Sequence, residues 1–348
     1  MNLLKLLLYP VATMYNGLMR IRNYLYDIGH KPSFHFEIPV IVVGNLNMGG
    51  SGKTPMVEYL IRLLKDQYPI VTLSRGYKRE TSGYRVAKDT DTALSIGDEP
   101  LQLFRKFGHE IKVVVGEDRV YAIPHILQEF PETRVILLDD AFQQRPIKAA
   151  LSILLTTYRR PFYSDFVLPF GRLREAREGA SRADIVVITK CDDAIDKDLA
   201  TEMKARVHKY AHSKPVLFSN ILYGEARSLS GSGELSNHIV LVTGIANAKP
   251  LIAHCEKRFT ILKHFRYPDH HRYSSNDLND IQVYCRNQSV QFSILTTEKD
   301  MVKLQVPEFK PFMGMFDWFW LPIQLGFLQD GAKFDELVLG TVGKPVAH

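Results

Sequence analysis

The chain has 348 residues, 45% of them hydrophobic and 24% charged, and Lys and Arg exceed Asp and Glu by 44 to 38, a formal net charge of +6. This excludes a disordered or collagen-like chain, and the length exceeds what one core needs, so two domains are expected. The positive balance suits an anionic partner (nucleotide, phospholipid surface or nucleic acid), while the widely spaced Cys191, Cys255 and Cys285 offer no disulfide framework or zinc spacing and point to a reducing compartment.

Residues 1–30 open the chain with an apolar run that Lys5 interrupts and Pro10 follows, without a small-residue cleavage site, so a secretory signal is excluded. The run also falls short of the roughly 20 apolar residues of a membrane span. Leu3, Leu4, Leu7, Met14, Leu18 and Ile21 occupy apolar positions, with Lys5, Arg20, Arg22 and Lys31 among the polar ones. Tyr9, Tyr15, Tyr24 and Tyr26 favour a headgroup boundary. Two readings follow: an amphipathic helix lying on an anionic membrane surface, or a terminal helix packed on its own domain.

Val40 to Val43 is a β-branched run expected to form a buried parallel strand, and Met56 to Leu64 has helical spacing. Between them lies Gly49-Gly50-Ser51-Gly52-Lys53-Thr54. Strand, glycine-rich loop, Gly-Lys-Thr and helix make a phosphate-binding loop. The glycines admit backbone N–H groups to the phosphates, Lys53 reaches the β/γ-phosphates, and the Thr54 hydroxyl serves Mg²⁺. Asn47 stands where the strict pattern has glycine, so the loop is a variant form.

Downstream, Ser74-Arg75-Gly76-Tyr77 follows the expected strand Ile70 to Leu73, and Gly97-Asp98-Glu99-Pro100 opens a helix through Leu101 to Phe107. Those two acids either complement the helix dipole or serve as a general base and a metal-shell carboxylate. Asp118-Arg119 follows the strand Lys112 to Val115. Val135 to Leu138 delivers Asp139 and Asp140 beside the phosphate loop, Asp139 being the better placed for a metal. Leu173-Arg174-Glu175 lies beyond a glycine-bearing loop, and with Arg75 and Arg119 it suggests a site holding more than one anionic group. Ala183 to Asp192 reads as a further buried strand near the base pocket. Its Lys190-Cys191-Asp192 is similar to the guanine-reading Lys-x-Asp of GTPases, but Asp139-Asp140-Ala141-Phe142 lacks the glycine of their switch.

A strand at Val216 to Ser219 precedes a Gly-, Ser- and Glu-rich stretch, Tyr223 to Asn237, taken as the domain boundary. Strands at His238 to Thr243, Phe259 to Phe265 and Phe292 to Thr297 alternate with helices from Gly244, Ser274 and Glu298, which implies parallel sheets in both halves. Trp318 and Trp320 are expected in a sheet or core, since no basic interleaving supports nucleic-acid stacking. Asp269-His270-His271 follows a strand and is a candidate for proton transfer or metal binding, although the further ligands of a zinc site are not evident.

In this order the motifs resemble those of the tetraacyldisaccharide 4′-kinase family, the lipid A kinases of Gram-negative bacteria. The matching pieces are Val43-Gly44-Asn45, Gly49 to Pro55, Ser74 to Tyr77, Gly97 to Pro100, Asp139-Asp140 with Phe142-Gln143, Leu173 to Glu175, Thr243-Gly244-Ile245, Asp269 to His271 and Thr297-Glu298-Lys299-Asp300. Ala141, Gln144 and Ala176 depart from residues common in the family. The resemblance implies transfer of the γ-phosphate of ATP, with Mg²⁺, to the 4′-hydroxyl of a lipid disaccharide 1-phosphate. It implies an α/β fold: an interfacial helix over 1–30, a P-loop (RecA-like) domain over 31–225 and a smaller α/β domain over 226–348 closing over the site. It assigns the acid–base pair to Asp98 and His270, with His271 the runner-up, and the proton of the hydroxyl to Asp98. Thr54 with Glu99 or Asp139 would hold Mg²⁺, and Arg75, Arg119, Asp140, Arg174 and His271 would serve substrate phosphate or the transferring group. A monomer is expected, peripheral to the cytoplasmic face of the inner membrane and binding no nucleic acid. The competing readings are a membrane-associated ATPase of the partitioning or maturation type and a kinase for a small metabolite.

Overall fold

The computed structural model describes residues 3–229 and 233–344, with side chains from residue 8 onward at the N-terminal end. The side chains of Leu3, Leu4, Lys5 and Leu7 lie outside the described residues. In chain order the elements of the first lobe are α1 (Leu3–Asp27), β1 (Val40–Asn45), α2 (Lys53–Leu64), β2 (Ile70–Ser74), β3 (Arg85–Val86), α3 (Ala93–Ile96), α4 (Asp98–Phe107), β4 (Lys112–Val115), α5 (Arg119–Glu129), β5 (Val135–Asp139), β6 (Leu151–Thr157), β7 (Ile185–Thr189), α6 (Lys197–Ala211) and β8 (Val216–Tyr223). The second lobe follows with β9 (Arg227–Ser228), β10 (His238–Thr243), α7 (Lys249–Cys255), β11 (Thr260–Arg266), α8 (Ser275–Arg286), β12 (Ser293–Thr297), α9 (Glu298–Leu304), α10 (Lys310–Met313) and β13 (Trp318–Leu321). The chain then forms β14 (Ile323–Phe327) and α11 (Gly331–Val342).

Among the described residues the large sheet has nine strands in the order β14-β8-β7-β6-β1-β5-β2-β4-β3. Its interior is parallel, and only the edges β3 and β14 run antiparallel. Strand β1 is buried along its whole length, as an apolar run covered on both faces must be. Met56, Leu60 and Leu64 of α2 cover one face with Phe334 and Val338 of α11, while Ala122, Ile123 and Ile126 of α5 cover the other. Strand β1 lies between β5 and β6, where the strand order reverses. That switch point opens a crevice at the carboxyl ends of the strands, and the phosphate loop leaves β1 there.

The second sheet has the order β11-β10-β12-β13-β9, parallel except for β9. Trp318 is buried in it, as expected. The expected second domain, 226–348, is modified by the end of the chain. β14 pairs with β8 in the large sheet, and Phe334, Val338 and Val342 of α11 join the core of the first lobe. The smaller lobe is therefore spliced between two segments of the larger one. The signal for this return is weak in the sequence, because β14 is a short edge strand and α11 is apolar with little polar contrast.

Helix α1 packs on the large lobe through its polar residues. The Tyr15 hydroxyl donates to the Arg174 carbonyl at 2.7 Å, Arg20 pairs with Glu178 at 2.7 Å, and Asn23 donates to Glu175 at 2.7 Å. Met14, Leu18 and Ile21 remain 64%, 59% and 59% exposed. Ala12 is the buried residue of the helix, and beside these polar contacts an apolar row faces outward. Among the described residues no helix is long and apolar enough to cross a membrane.

Candidate active site

The phosphate loop is held open by its own lobe. Gly49 and Gly52 have φ of +113° and +87°, a region that side-chain-bearing residues avoid. Asn45 Nδ2 donates to the Asn47 carbonyl at 2.6 Å, Thr189 at the end of β7 donates to the Ser51 carbonyl at 2.7 Å, and Lys190 donates to the Gly50 carbonyl at 2.7 Å. With carbonyls tied back to the sheet, the loop leads into the N-terminus of α2, whose N–H groups and dipole favour an anion. Gly44 brings β1 against Phe142, where an added Cβ would lie 2.7 Å from the Phe142 Cβ.

The two acids at the end of β5 diverge in environment. Asp140, at φ +50°, accepts a two-pronged bond from Arg174 at 2.8 and 3.1 Å and lies 3.6 Å from the Lys53 ammonium. Burial would raise its carboxyl, but Lys53 and Arg174 outweigh that and hold it below its ordinary value. Asp139 is 3% exposed and its Oδ1 has no hydrogen-bond partner. Burial, and next the charge of Glu99, push it above the ordinary carboxylate range. A buried carboxyl with an open lone pair, under the influence of the Glu99 and Asp140 carboxylates, fits a divalent cation. Among the described residues no three His, Cys, Asp or Glu side chains already form a ligand group, so such an ion would draw further oxygens from Thr54, phosphate and water.

The second cluster is built by both lobes. Gly97, at φ +93°, lets the backbone of Gly76 and Tyr77 approach closely, and α4 then starts with Asp98. The Asp98 side chain is buried, with Oδ1 accepting from the Glu99 N–H at 3.0 Å and Oδ2 lying 2.7 Å from His270 Nδ1. Burial alone would raise this carboxyl, yet the His270 hydrogen bond and the Lys299 charge bring it down to about 2. The Tyr77 ring meets the His270 ring edge-on at 5.2 Å. Arg272 pairs with Glu80 at 2.7 Å, and Lys106 bridges Glu58 at 2.7 Å and Glu298 at 2.9 Å. These contacts hold the lobes together around a cleft of about 770 Å³ lined by Gly50 to Thr54, Glu99, Lys190, Asp269 and Lys299.

Most residues expected at the site converge here, with three differences. His270, the partner chosen for Asp98, lies against it, whereas His271, expected at substrate phosphate, lies 3.0 Å from Asp277 and stacks on Tyr267 at 4.5 Å, which ties it to the start of α8. Arg174 is engaged by Asp140. Arg119 is 3% exposed, and burial followed by the neighbouring Arg75 lowers its guanidinium to about 10, so it presents its charge from below the site while Arg75 is exposed. Sequence reasoning missed Lys299, whose Nζ lies 3.3 Å from Glu99 and 3.4 Å from Asp269. It also missed Lys190 as a support of the loop. Both lay within quoted motifs, but no spacing rule assigns a role to a lysine whose partners come from distant segments.

Residues 4–342 match a family model described as tetraacyldisaccharide-1-P 4'-kinase. A tetraacyldisaccharide 4'-kinase of Flavobacterium johnsoniae is 39% identical over 344 residues, covering 97% of each chain. One from Cytophaga hutchinsonii is 41% identical over 333 residues, covering 95% of this chain and 93% of its own. The crystal structure of LpxK from Aquifex aeolicus in complex with ATP superposes with a TM-score of 0.75 at 26% identity, covering 98% of this chain and 100% of that one.

Proposed function

The chain belongs to the tetraacyldisaccharide 4′-kinase family, and from that premise we propose how its residues carry out the transfer. It is a phosphotransferase that moves the γ-phosphate of ATP to the 4′-hydroxyl of a tetraacyldisaccharide 1-phosphate in lipid A biosynthesis. The reading of the site rests chiefly on one observation, the Asp98–His270 pair formed across the two lobes at the mouth of the phosphate loop.

Gly49 to Thr54 cradle the triphosphate, and Lys53 neutralises the β/γ-phosphates. Thr54, Asp139 and Glu99 would hold Mg²⁺, which when bound offsets charge on the transferring group. A sugar hydroxyl is a poor nucleophile and needs a base. Asp98 is poorly suited to that task, being held at about 2 with both oxygens engaged. We therefore assign the base to Nε2 of His270, with Asp98 accepting from Nδ1–H and orienting the ring, the logic of a carboxylate-supported imidazole. The proton of the 4′-hydroxyl passes to Nε2, its oxygen bonds to the γ-phosphorus, and the bond from that phosphorus to the β-bridging oxygen breaks, releasing ADP. Arg174 orients Asp140 beside Lys53, and Arg75 and Arg119 supply positive potential for the substrate phosphate.

The exposed row Met14, Leu18 and Ile21 supports a peripheral seat on an anionic bilayer, with α1 on the cytoplasmic face where ATP is available. A monomer with three units is the reading we favour: the α1 segment, the phosphate-loop lobe and the smaller lobe spliced into it. Transfer of label from [γ-³²P]ATP to a lipid disaccharide 1-phosphate in detergent micelles tests the reaction. Label released only to water would favour a shape-switching ATPase.

A further inference from the structure

In the connection from β6 to β7 the chain projects a loop whose tip is Phe166-Val167-Leu168-Pro169-Phe170, an unbroken apolar run. Phe166 is 54% exposed and Pro169 is exposed beside it. The loop is nonetheless firmly tied. Asp165 Oδ1 accepts from the Phe166 N–H at 2.8 Å and the Arg172 N–H at 3.2 Å. The Leu173 N–H donates to the Phe166 carbonyl at 2.8 Å, the Leu168 N–H to the Leu173 carbonyl at 2.9 Å and the Gly171 N–H to the Val167 carbonyl at 3.0 Å. A Cβ at Gly171 would strike the Phe166 carbonyl, so the turn closes only with glycine there. Underneath, Arg177 donates twice to the Asp165 carbonyl, at 2.9 and 2.8 Å, and its guanidinium lies 5.2 Å from the centre of the Phe166 ring. The Phe170 ring meets Phe166 edge-on at 5.2 Å and Tyr9 of α1 at 6.0 Å. The apolar tip thus adjoins the helix that carries the outward row Met14, Leu18 and Ile21.

Its chemistry selects one occupant. Backbone groups of the tip are bonded inside the loop and Pro169 has no N–H, so placing the tip in hydrocarbon leaves few polar groups unpaired. The flanks are basic: the stretch from Arg159 to Arg177 holds five arginines against Asp165 and Glu175. Both carboxylates are occupied by hydrogen bonds within the protein, whereas Arg172 is exposed. An apolar tip flanked by positive charge suits the headgroup and acyl boundary of an anionic bilayer.

We propose that Phe166 and Phe170 form a second lipid contact, which enters the acyl boundary of an anionic bilayer beside α1. The proposal deepens the membrane seat read for α1 and rests on it. One helix lying on a bilayer leaves the protein free to roll about the helix axis, and a contact off that axis sets the roll. The loop is also joined to the phosphate loop. The Met48 N–H donates to the Arg172 carbonyl at 2.7 Å, and Asn47 Nδ2 donates to Asp165 Oδ2 at 3.1 Å. Seating the tip therefore fixes the height of Gly49 to Thr54 above the lipid surface, the level at which the sugar hydroxyl of a lipid substrate stands.

The test puts a reporter at the tip, Phe166→Trp in the full chain, with wild-type emission subtracted to remove Trp318 and Trp320. Vesicles of phosphatidylethanolamine and phosphatidylglycerol are expected to shift the difference emission to shorter wavelength, and bromine on their acyl chains to quench it. Phosphatidylcholine vesicles or high salt should weaken both effects. The double variant Phe166→Ser with Phe170→Ser should lower the partition onto the anionic vesicles by roughly ten-fold or more. Its kcat on a micellar substrate should stay within roughly two-fold of wild type. The reporter changes one exposed ring, so its result stands even if the double variant fails to fold. A reporter chain that floats with its emission unshifted and unquenched overturns the proposal and leaves the α1 seat intact. Emission already blue-shifted without lipid, or shifting with protein concentration alone, also overturns it, in favour of cover by another part of the chain or by a second copy. A quenched reporter in a chain carrying Met14→Gln, Leu18→Gln and Ile21→Gln that still floats like wild type upholds the loop contact while the α1 seat fails. Absence of flotation in the wild type overturns both.

Discussion

His270 Nδ1 lies 2.7 Å from Asp98 Oδ2, although 172 positions separate the two residues. The pair joins α4 of the larger lobe to the loop after β11 of the smaller one, so the proposed base depends on the two lobes staying docked. His270→Ala and Asp98→Asn should each lower kcat by roughly 10²-fold or more with little change in the KM for ATP. Because the two groups act as a unit, the double variant should lose no more than about ten-fold beyond the worse single one. Multiplicative losses in steady-state kinetics would show that they act independently.

The same pair makes stability depend on acid. The Asp98 carboxyl is lowered from its ordinary 3.8 to about 2, because the His270 bond and the Lys299 charge outweigh burial. A group held below its unfolded value binds fewer protons folded than unfolded. Its contribution is therefore complete above about pH 4 and is lost as pH falls toward 2. The difference corresponds to roughly 2 kcal/mol. Denaturant unfolding should show this decline between about pH 4 and 2, and Asp98→Asn should flatten it. An unchanged slope in that variant would assign the decline to other carboxylates.

Much of this was legible in the sequence, for a physical reason. The phosphate loop, the strand carrying Asp139 and the helix starting at Asp98 are local: apolar runs, glycines and short polar spacings determine them within about a dozen residues. The wrap of β14 and α11 back onto the first lobe was not legible, since its partners Tyr223 to Ser219 lie about a hundred positions earlier. The resemblance points to His270 with His271 as runner-up, but local spacing alone does not separate the two. Adjacent residues of one loop differ only in where the chain turns, and His270 sits at φ +56°, a turn that the sequence around it does not announce.

Lys53 faces Asp140, which Arg174 holds in a two-pronged bond. Lys53→Ala should abolish transfer, since no other side chain on the loop can neutralise the β/γ-phosphates. Arg174→Lys keeps the charge but loses the fork. If Arg174 chiefly orients Asp140, that variant should lower kcat by roughly ten-fold with the KM for lipid nearly unchanged. A raised KM for the lipid alone would instead mark Arg174 as a direct ligand of the substrate phosphate.

Two glycines should respond in opposite directions. A Cβ at Gly44 would lie 2.7 Å from the Phe142 Cβ and 2.8 Å from its backbone nitrogen, while Gly17 has nothing within 4 Å. Gly44→Ala must push β1 away from the turn after Asp140. It should cost about 1–3 kcal/mol and lower the thermal midpoint by several degrees. Gly17→Ala, in the interior of α1, should be neutral or stabilising by up to about 1 kcal/mol. Calorimetry on the two variants checks both signs, and equal effects would contradict the close approach at Gly44.

The outward apolar row of α1 allows the proposed lipid contact to be tested apart from folding. The helix's polar contacts to the lobe run through Tyr15, Arg20 and Asn23, whereas Met14, Leu18 and Ile21 are exposed. Replacing those three by glutamine, a good helix former, should leave the unfolding midpoint nearly unchanged. Each side chain would contribute roughly 1.5–3 kcal/mol if fully buried in the bilayer interface. Even half of that, summed over three, exceeds the about 1.4 kcal/mol that shifts a partition ten-fold. The triple variant should therefore move from floated anionic vesicles to the supernatant, while the wild type floats and releases partly as salt screens the basic residues. Flotation of the variant equal to that of the wild type would show that the apolar row does not seat the protein on lipid.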